Sequence, residues 1–270
     1  MRPVQNYPTP PAQKEPDQPR KGFAIVIVNY NMPERADAMG DYLTKYAKWP
    51  HDFYCVDNAS DLVPPSKYTN VQLEKNVQTT GGWLAGLKAA DASGKDYLAY
   101  VFTITSCDFP EWQKKDPIAP LARLLLIDHN AVGVHPALTD DSTTDWHEMK
   151  TRGGFDPRPI WHLDNLFAMY RADWFNSIGR FDPELTYAHG PDLETGWYAR
   201  DQGRGLFIHE GVQIRKISQI GYIMDRMHMT TAERNANAME EMQRVLGRKW
   251  GAWPECWHRL VTENVTPEMK

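Results

Sequence analysis

Phe23-Ala-Ile-Val-Ile-Val28 and Phe53-Tyr-Cys-Val56 are two apolar runs that each stop in a polar turn, Asn29-Tyr-Asn31 and Asp57-Asn-Ala-Ser-Asp61. A short β-branched run without alternation is what a strand covered on both faces looks like. Such strands belong to the parallel sheets of α/β domains. Between the runs, Pro33 and Glu34 open a helical stretch to about Lys48, so the segment reads strand, helix, strand with a right-handed crossover. Ligands of such sheets bind outside the carboxyl ends of the strands, where these polar turns stand.

The same grammar continues along the chain. A strand from Val71 to Lys75 leads through Asn76 and Thr79-Thr-Gly-Gly82 into a helix from Trp83 to Ala92. The pair Gly81 and Gly82 lets the backbone come close to a ligand or a helix start. Tyr97 to Ile104 reads as a fourth strand, ending at Thr105-Ser-Cys-Asp108, and Ala131 to Val134 as a fifth. Asp140 to Pro159 mixes Asp, Thr, Gly and Pro without a period, which suits a lid or an acceptor-binding loop; Trp146, Trp161, His162 and Asp164 lie in it or just after it. From Thr230 to Arg248, residues Ala232, Ala236, Met239, Met242, Val245 and Leu246 have helical spacing, and this helix is expected to pack over the sheet.

The 270 residues carry no internal linker, so one α/β domain is expected over residues 22–252. It divides into halves, 22–110 and 111–252, followed by a tail, 253–270. Six prolines among polar residues in the first twenty positions leave too little apolar surface to pack, so residues 1–21 read as a disordered arm. The arm lacks the apolar core of a secretory signal, and no uninterrupted apolar segment approaches the roughly 18 to 20 residues of a membrane span. Three widely spaced cysteines, Cys55, Cys107 and Cys256, fit reduced thiols better than a disulfide framework or a zinc site. A cytoplasmic or membrane-peripheral location follows as the expectation. Thirty basic against 35 acidic residues give a net charge of −5, which does not indicate a general grip on nucleic acid.

Val26-Ile-Val-Asn-Tyr-Asn31, Val56-Asp-Asn-Ala-Ser-Asp61, Asn76 with Gly81-Gly82, and Asp108 after a strand together resemble the nucleotide-sugar half of the family-2 glycosyltransferases, which have the Rossmann-like GT-A fold. The second half is similar too, in Leu166-Phe-Ala-Met-Tyr-Arg171, in Ile178-Gly-Arg-Phe-Asp-Pro183 and in Pro191-Asp-Leu-Glu194 running to Gly203. The resemblance implies a mixed, mainly parallel sheet flanked by helices and a nucleoside diphosphate sugar as donor. It also implies transfer to an acceptor hydroxyl, with the acceptor a glycan, a lipid-linked glycan, a protein or a modified nucleic acid.

On residue chemistry alone, Asp57 is either a ligand for a base or ribose or an Asx turn satisfying its own backbone. The resemblance implies that Asp57 meets the nucleobase, with Asn29 and Asn31 lining the same pocket. It implies a divalent cation, Mn²⁺ or Mg²⁺, and the diphosphate at Asp108, although Ser106 stands where the family carries another carboxylate. Where the family often supplies a late histidine, either His228 reaches the metal or a cation from Arg215 or Lys216 replaces part of its charge. Asp192 is implied as the general base of an inverting displacement, and as a residue it is either that base or a helix cap. Pro191 replaces the family's usual Glu, and Glu194 matches a second acidic position.

Two rival readings stand beside transfer. A nucleotidyltransferase needs a glycine-rich basic loop after the first strand, and Asn29-Tyr-Asn-Met-Pro33 has neither glycine nor Lys or Arg. A non-catalytic nucleotide- or sugar-binding protein draws support from Ser106 and Pro191. For the arm, deletion of residues 1–20 is expected to leave the thermal midpoint unchanged; a truncated chain that melts lower would make the arm part of the fold.

Overall fold

The computed structural model describes residues 21–217, 226 and 228–262, so the arm expected over 1–21 lies, but for Lys21, outside the described residues. The chain begins with β1 (Gly22–Asn29), α1 (Pro33–Tyr46), β2 (His51–Asp57), β3 (Thr69–Gln72), α2 (Gln78–Ala92) and β4 (Tyr97–Ile104). Next come β5 (Cys107–Asp108), α3 (Ile118–Ile127), β6 (Ala131–Leu138), a 3₁₀ turn (His147–Met149), β7 (Pro157–Ile160), β8 (Phe167–Arg171) and α4 (Ala172–Ser177). The last elements are α5 (Pro191–Asp201), β9 (Gly205–Lys216), α6 (Thr231–Trp250) and α7 (Glu255–Thr262).

The strands form one sheet in the order β3-β2-β1-β4-β8-β6-β9-β5, with β7 also on β9. β1 pairs in parallel with β2 and β4, and β2 with β3. β8 is inserted antiparallel between β4 and β6, and β6 then pairs in parallel with β9. Two antiparallel steps restore the direction, so β3, β2, β1, β4, β6 and β9 all point the same way. This is the mixed α/β architecture read from the apolar runs. Phe23 to Val28 is buried along its whole length, as a strand covered on both faces must be.

The helices that cover the sheet do so with small or periodic residues. α1 buries Ala36, Met39, Gly40 and Leu43, and α3 buries Ile118, Leu121, Ala122 and Leu125, each at the 3–4 spacing of a single helical face. α2 starts at Gln78, five residues before the expected Trp83. The Asn58 side chain accepts the Val77 N–H at 2.9 Å and the Asn76 side chain the Gln78 N–H at 2.8 Å, so the first backbone donors are satisfied there. Gly81 and Gly82 therefore sit inside the first turn of α2 and not ahead of it. A Cβ on Gly82 would lie 2.7 Å from Val28 Cγ1, and one on Gly81 2.8 Å from Val77 Cγ2, so both glycines serve close packing, at Gly82 of helix on strand.

Three further expectations shift. β3 spans Thr69–Gln72, not Val71 to Lys75, because its partner β2 stops at Asp57, opposite Gln72. The stretch 140–159 is no bare loop: it holds the 3₁₀ turn and leads into β7, and Lys150 bridges Leu138. α6 does not lie on the sheet. Its Met242, Val245 and Leu246 pack with Leu185, Leu193, Trp197, Cys256 and Leu260 in a second apolar cluster, joined to the main core by Trp146 and Trp161. Cys256 and Leu260 belong to α7, so the expected tail from residue 253 is folded onto the domain as far as Thr262. Among the described residues no helix is long and apolar enough to cross a membrane.

Gly86 tests the helix-on-sheet contact. Gly to Ala inside an open helix favours folding by about 1 kcal/mol. Here the new methyl would overlap Val26 Cγ1 and press on Val56 Cγ2 at 3.1 Å. Overpacking wins, and Gly86→Ala is expected to cost about 1–3 kcal/mol, read as a lower urea midpoint at unchanged m-value.

Candidate functional site

Because six strands share one direction, their carboxyl ends share one edge. Asn29 ends β1, Asp57 ends β2, Ile104 ends β4 and Lys216 ends β9, while Asp164, just ahead of the antiparallel β8, joins them. Each end exposes backbone and side-chain polar groups that must find partners.

The first two turns satisfy one another. Asn29 Nδ2 donates to Asp57 Oδ1 at 3.2 Å, and Asn29 Oδ1 accepts the Met32 N–H at 3.0 Å. The Asp57 carboxylate also accepts the backbone N–H and the hydroxyl of Ser60. Asn31 Oδ1 accepts the N–H groups of Asp61 and Leu62, each at 3.0 Å, and its amide donates to Asp61 Oδ1 at 2.9 Å. Asn29, Asn31 and Asp57 are each fully buried. These three do not lie on the wall of the cavity: their side chains are engaged within and between the two turns and, for Asn31, by the Arg226 carbonyl. What they present is their neighbours, Tyr30 and Asn58, and these do face the cavity, as does Asn76.

That cavity encloses about 310 Å³ at the ends of β1, β2 and β4, with Thr105 and Ser106 on one wall. A second chamber of about 430 Å³ opens beside it, lined by Asp192, Trp146, Trp253, Trp257, Met239 and Met242. Asp164, Ala188, His189 and Lys216 belong to both walls, so the two chambers form one divided cleft. Gln78 and Ala188, both in the first chamber, hold φ of +61° and +67°, a left-handed backbone that costs a non-glycine residue about 1–2 kcal/mol.

The dividing wall is charged. Lys216 Nζ lies 3.0 Å from Asp164 Oδ2. Burial works against both charges, but their mutual attraction prevails, holding the Asp164 carboxyl below and the Lys216 ammonium above their usual ranges. Asp192 sits at the start of α5, where Gly190, at φ +101°, turns the chain and donates its N–H to Asp192 Oδ1 at 3.1 Å. Burial, and then the negative charge of Asp164, push the Asp192 carboxyl up to about 7. Glu194, two residues on, is a structural clamp: it takes Lys249 from α6 and accepts the Asp182 N–H at 3.0 Å.

Asp108 stands apart. Its carboxylate accepts both Arg215 Nε, at 3.0 Å, and Nη2, at 2.9 Å, across the β5–β9 ladder, with Arg35 3.9 Å away. It is not on the wall of either chamber. His228 pairs with Asp61 at 2.7 Å and not with Asp108, which corrects the expectation of a shared metal site. Among the described residues no three His, Cys, Asp or Glu side chains come together as a metal site would need. The residues present at Asp108 do not fit a hard divalent cation, because its carboxylate is already neutralised by a bidentate guanidinium, and the nearby Asp141 lies 3.9 Å from that same guanidinium.

The last wall residue, Arg234, comes from the first turn of α6. Its Nη2 donates to the Tyr187 carbonyl at 3.2 Å, and burial lowers its tendency to hold a proton. Nothing in the local sequence announces Arg234, Trp253 or Trp257, since they reach the cleft by packing of α6 and α7 and not through strand-end order. Tyr30 was legible, as the residue between two turn asparagines.

No known family profile matches the chain, and no curated protein is similar to it. Solved structures are. One, titled "Crystal structure of GalNAc-T7 with UDP, GalNAc and Mn2+", superposes with a TM-score of 0.62 at 11% identity over 91% of this chain and 50% of that one. This chain therefore spans about half the length of that protein, and the likeness carries the architecture, a GT-A-like fold.

Since Asp57 now reads as the clasp of two turns, Asp57→Ala takes the acceptor from the part-buried Ser60 N–H and from the buried Asn29 amide. The expected cost is about 1–3 kcal/mol, seen as a lowered urea midpoint; unchanged stability would return Asp57 to a ligand-binding role.

Proposed function

We propose that the protein transfers a sugar from a nucleoside diphosphate donor to an acceptor hydroxyl with inversion, Asp192 serving as general base. The observation that carries this reading is the placement of Asp192. It is a buried carboxyl, poised near neutrality, in a chamber that shares a charged wall with a second chamber at the strand ends. A base works best when its pKa lies near the working pH.

In this reading the first chamber holds the donor. Tyr30 supplies an aromatic face for the nucleobase, and Asn76, held in place by the Asn58 amide, supplies an amide group to read it. The second chamber takes the acceptor. Trp146, Trp253 and Trp257 offer flat apolar surface beside the polar edge formed by Asp192 and Lys216, a combination suited to a sugar ring. The acceptor oxygen attacks the anomeric carbon from the Asp192 side and gives its proton to that carboxylate. The bond from the anomeric carbon to the diphosphate oxygen breaks, and its electron pair leaves with the diphosphate, whose negative charge grows by one. A single displacement of this kind inverts the anomeric centre.

A non-catalytic binding protein is the second reading, favoured by Ser106 in the cavity and by the commitment of Asp108 to Arg215. Release of nucleoside diphosphate from a panel of UDP-, GDP- and dTDP-sugars separates the two, because a binding protein leaves the glycosyl bond intact.

Activity is expected to rise with pH through about 7, as Asp192 loses its proton. The stability sign is opposite. Between about pH 4 and 7 the carboxyl is protonated in the folded chain and ionised in the unfolded one, so its contribution is full below that window and lost across it as pH rises. Asp192→Asn is expected to lower turnover about 10²- to 10⁴-fold while melting no lower than wild type at pH 8. Near-normal turnover in that variant would refute the assignment.

A further inference from the structure

Of the charged side chains on the wall of the first chamber, Asp164 and Lys216 neutralise each other at 3.0 Å. Among the described residues Arg234 has no such partner: its Nη2 donates to the neutral carbonyl of Tyr187. His189 cannot be a counter-charge, because an imidazole is neutral or positive; burial, and next the charge of Arg234, hold it neutral. Among the described residues the chamber thus carries an uncompensated guanidinium, set in the first turn of the 20-residue α6, whose amino-terminal dipole adds positive potential on the same side, where Thr231 also joins the wall. A half-buried cation without a counter-ion is costly to fold, and an anion from solution removes that cost. The planar fork of arginine fits two phosphate oxygens at once. The hydroxyls of Thr79, Thr105 and Ser106 line the same space and can donate to further oxygens.

We infer that Arg234 holds the diphosphate of the donor and takes the leaving group's charge that a divalent cation would otherwise neutralise. The inference rests on the donor reading of the first chamber. It agrees with the state of Asp108, whose carboxylate is bound by Arg215 and faces neither chamber. As the glycosyl bond breaks, the electron pair moves onto the diphosphate oxygen, and a cation already fixed on that wall needs little reorganisation.

The experiment is calorimetric binding of UDP, GDP, dTDP and CDP, and of the matching nucleosides, in Mn²⁺ and in chelator, to wild type, Arg234→Gln and Arg234→Lys. One diphosphate is expected to bind equally well with chelator, and its nucleoside much more weakly. Arg234→Gln is expected to lower diphosphate affinity about tenfold or more and leave nucleoside affinity unchanged, with Arg234→Lys between. A circular-dichroism melt without ligand shows that the variants are folded; should Arg234→Gln not fold, the same comparison is made with Arg234→Lys. Binding that requires Mn²⁺, or an unaltered diphosphate affinity in the folded variants, overturns the inference while leaving the donor site standing. Failure of every nucleotide to bind in either condition overturns both.

Discussion

The ion pair between Lys216 and Asp164 is the contact on which the cleft depends. Lys216 ends the long β9 and Asp164 stands just before the reversed β8, so one 3.0 Å contact ties together the two elements that carry the sheet past its change of direction. The pair forms the wall common to both chambers. Its negative member also adds to burial in raising the Asp192 carboxyl. A buried charge is tolerated only with its partner. Without Lys216, the Asp164 carboxylate would be left facing Asp192, with no cation between them.

Around that wall the other acids are sorted by whether a neighbour can satisfy them. Asp57 is spent on two turns, Asp108 on Arg215 and Glu194 on Lys249. Asp192 has only its own helix start to bind it and accepts the Gly190 N–H, so it keeps both burial and a raised proton affinity. Arg234 is its positive counterpart, a cation on the cleft wall with a neutral partner. In the proposed reading these two are the groups that meet ligands, in line with the ordinary relation between perturbed groups and functional sites.

The second apolar cluster completes the cleft. α5, α6 and α7 meet through Leu193, Trp197, Met242, Val245 and Leu260, and that packing carries Trp253 and Trp257 to the outer chamber and Arg234 to the inner one. The α6 capping box, with Thr230 and Glu233 exchanging hydrogen bonds, sets where the helix starts and hence which residue of its first turn faces the cleft.

By itself the sequence determined β1, β2, β4 and the start of β6, and Asp192 as the acid at a helix start; β5, β7, β8 and β9 emerged only in the structure. Apolar runs and the polar turns that end them are local patterns, and a period of two or 3.6 residues is visible without coordinates. Only the tertiary structure decided which polar groups are consumed by their neighbours. The resemblance implies a pocket at Asn29, Asn31 and Asp57, yet Asn29 meets Asp57 and Asn31 meets Asp61 across 28 and 30 positions that the fold alone closes. Likewise Arg215, 107 positions from Asp108, and Arg234, on a helix with no local mark, take their roles from long-range packing. Whether a charge is paired or free depends on distance in space, and one-dimensional order does not carry that distance.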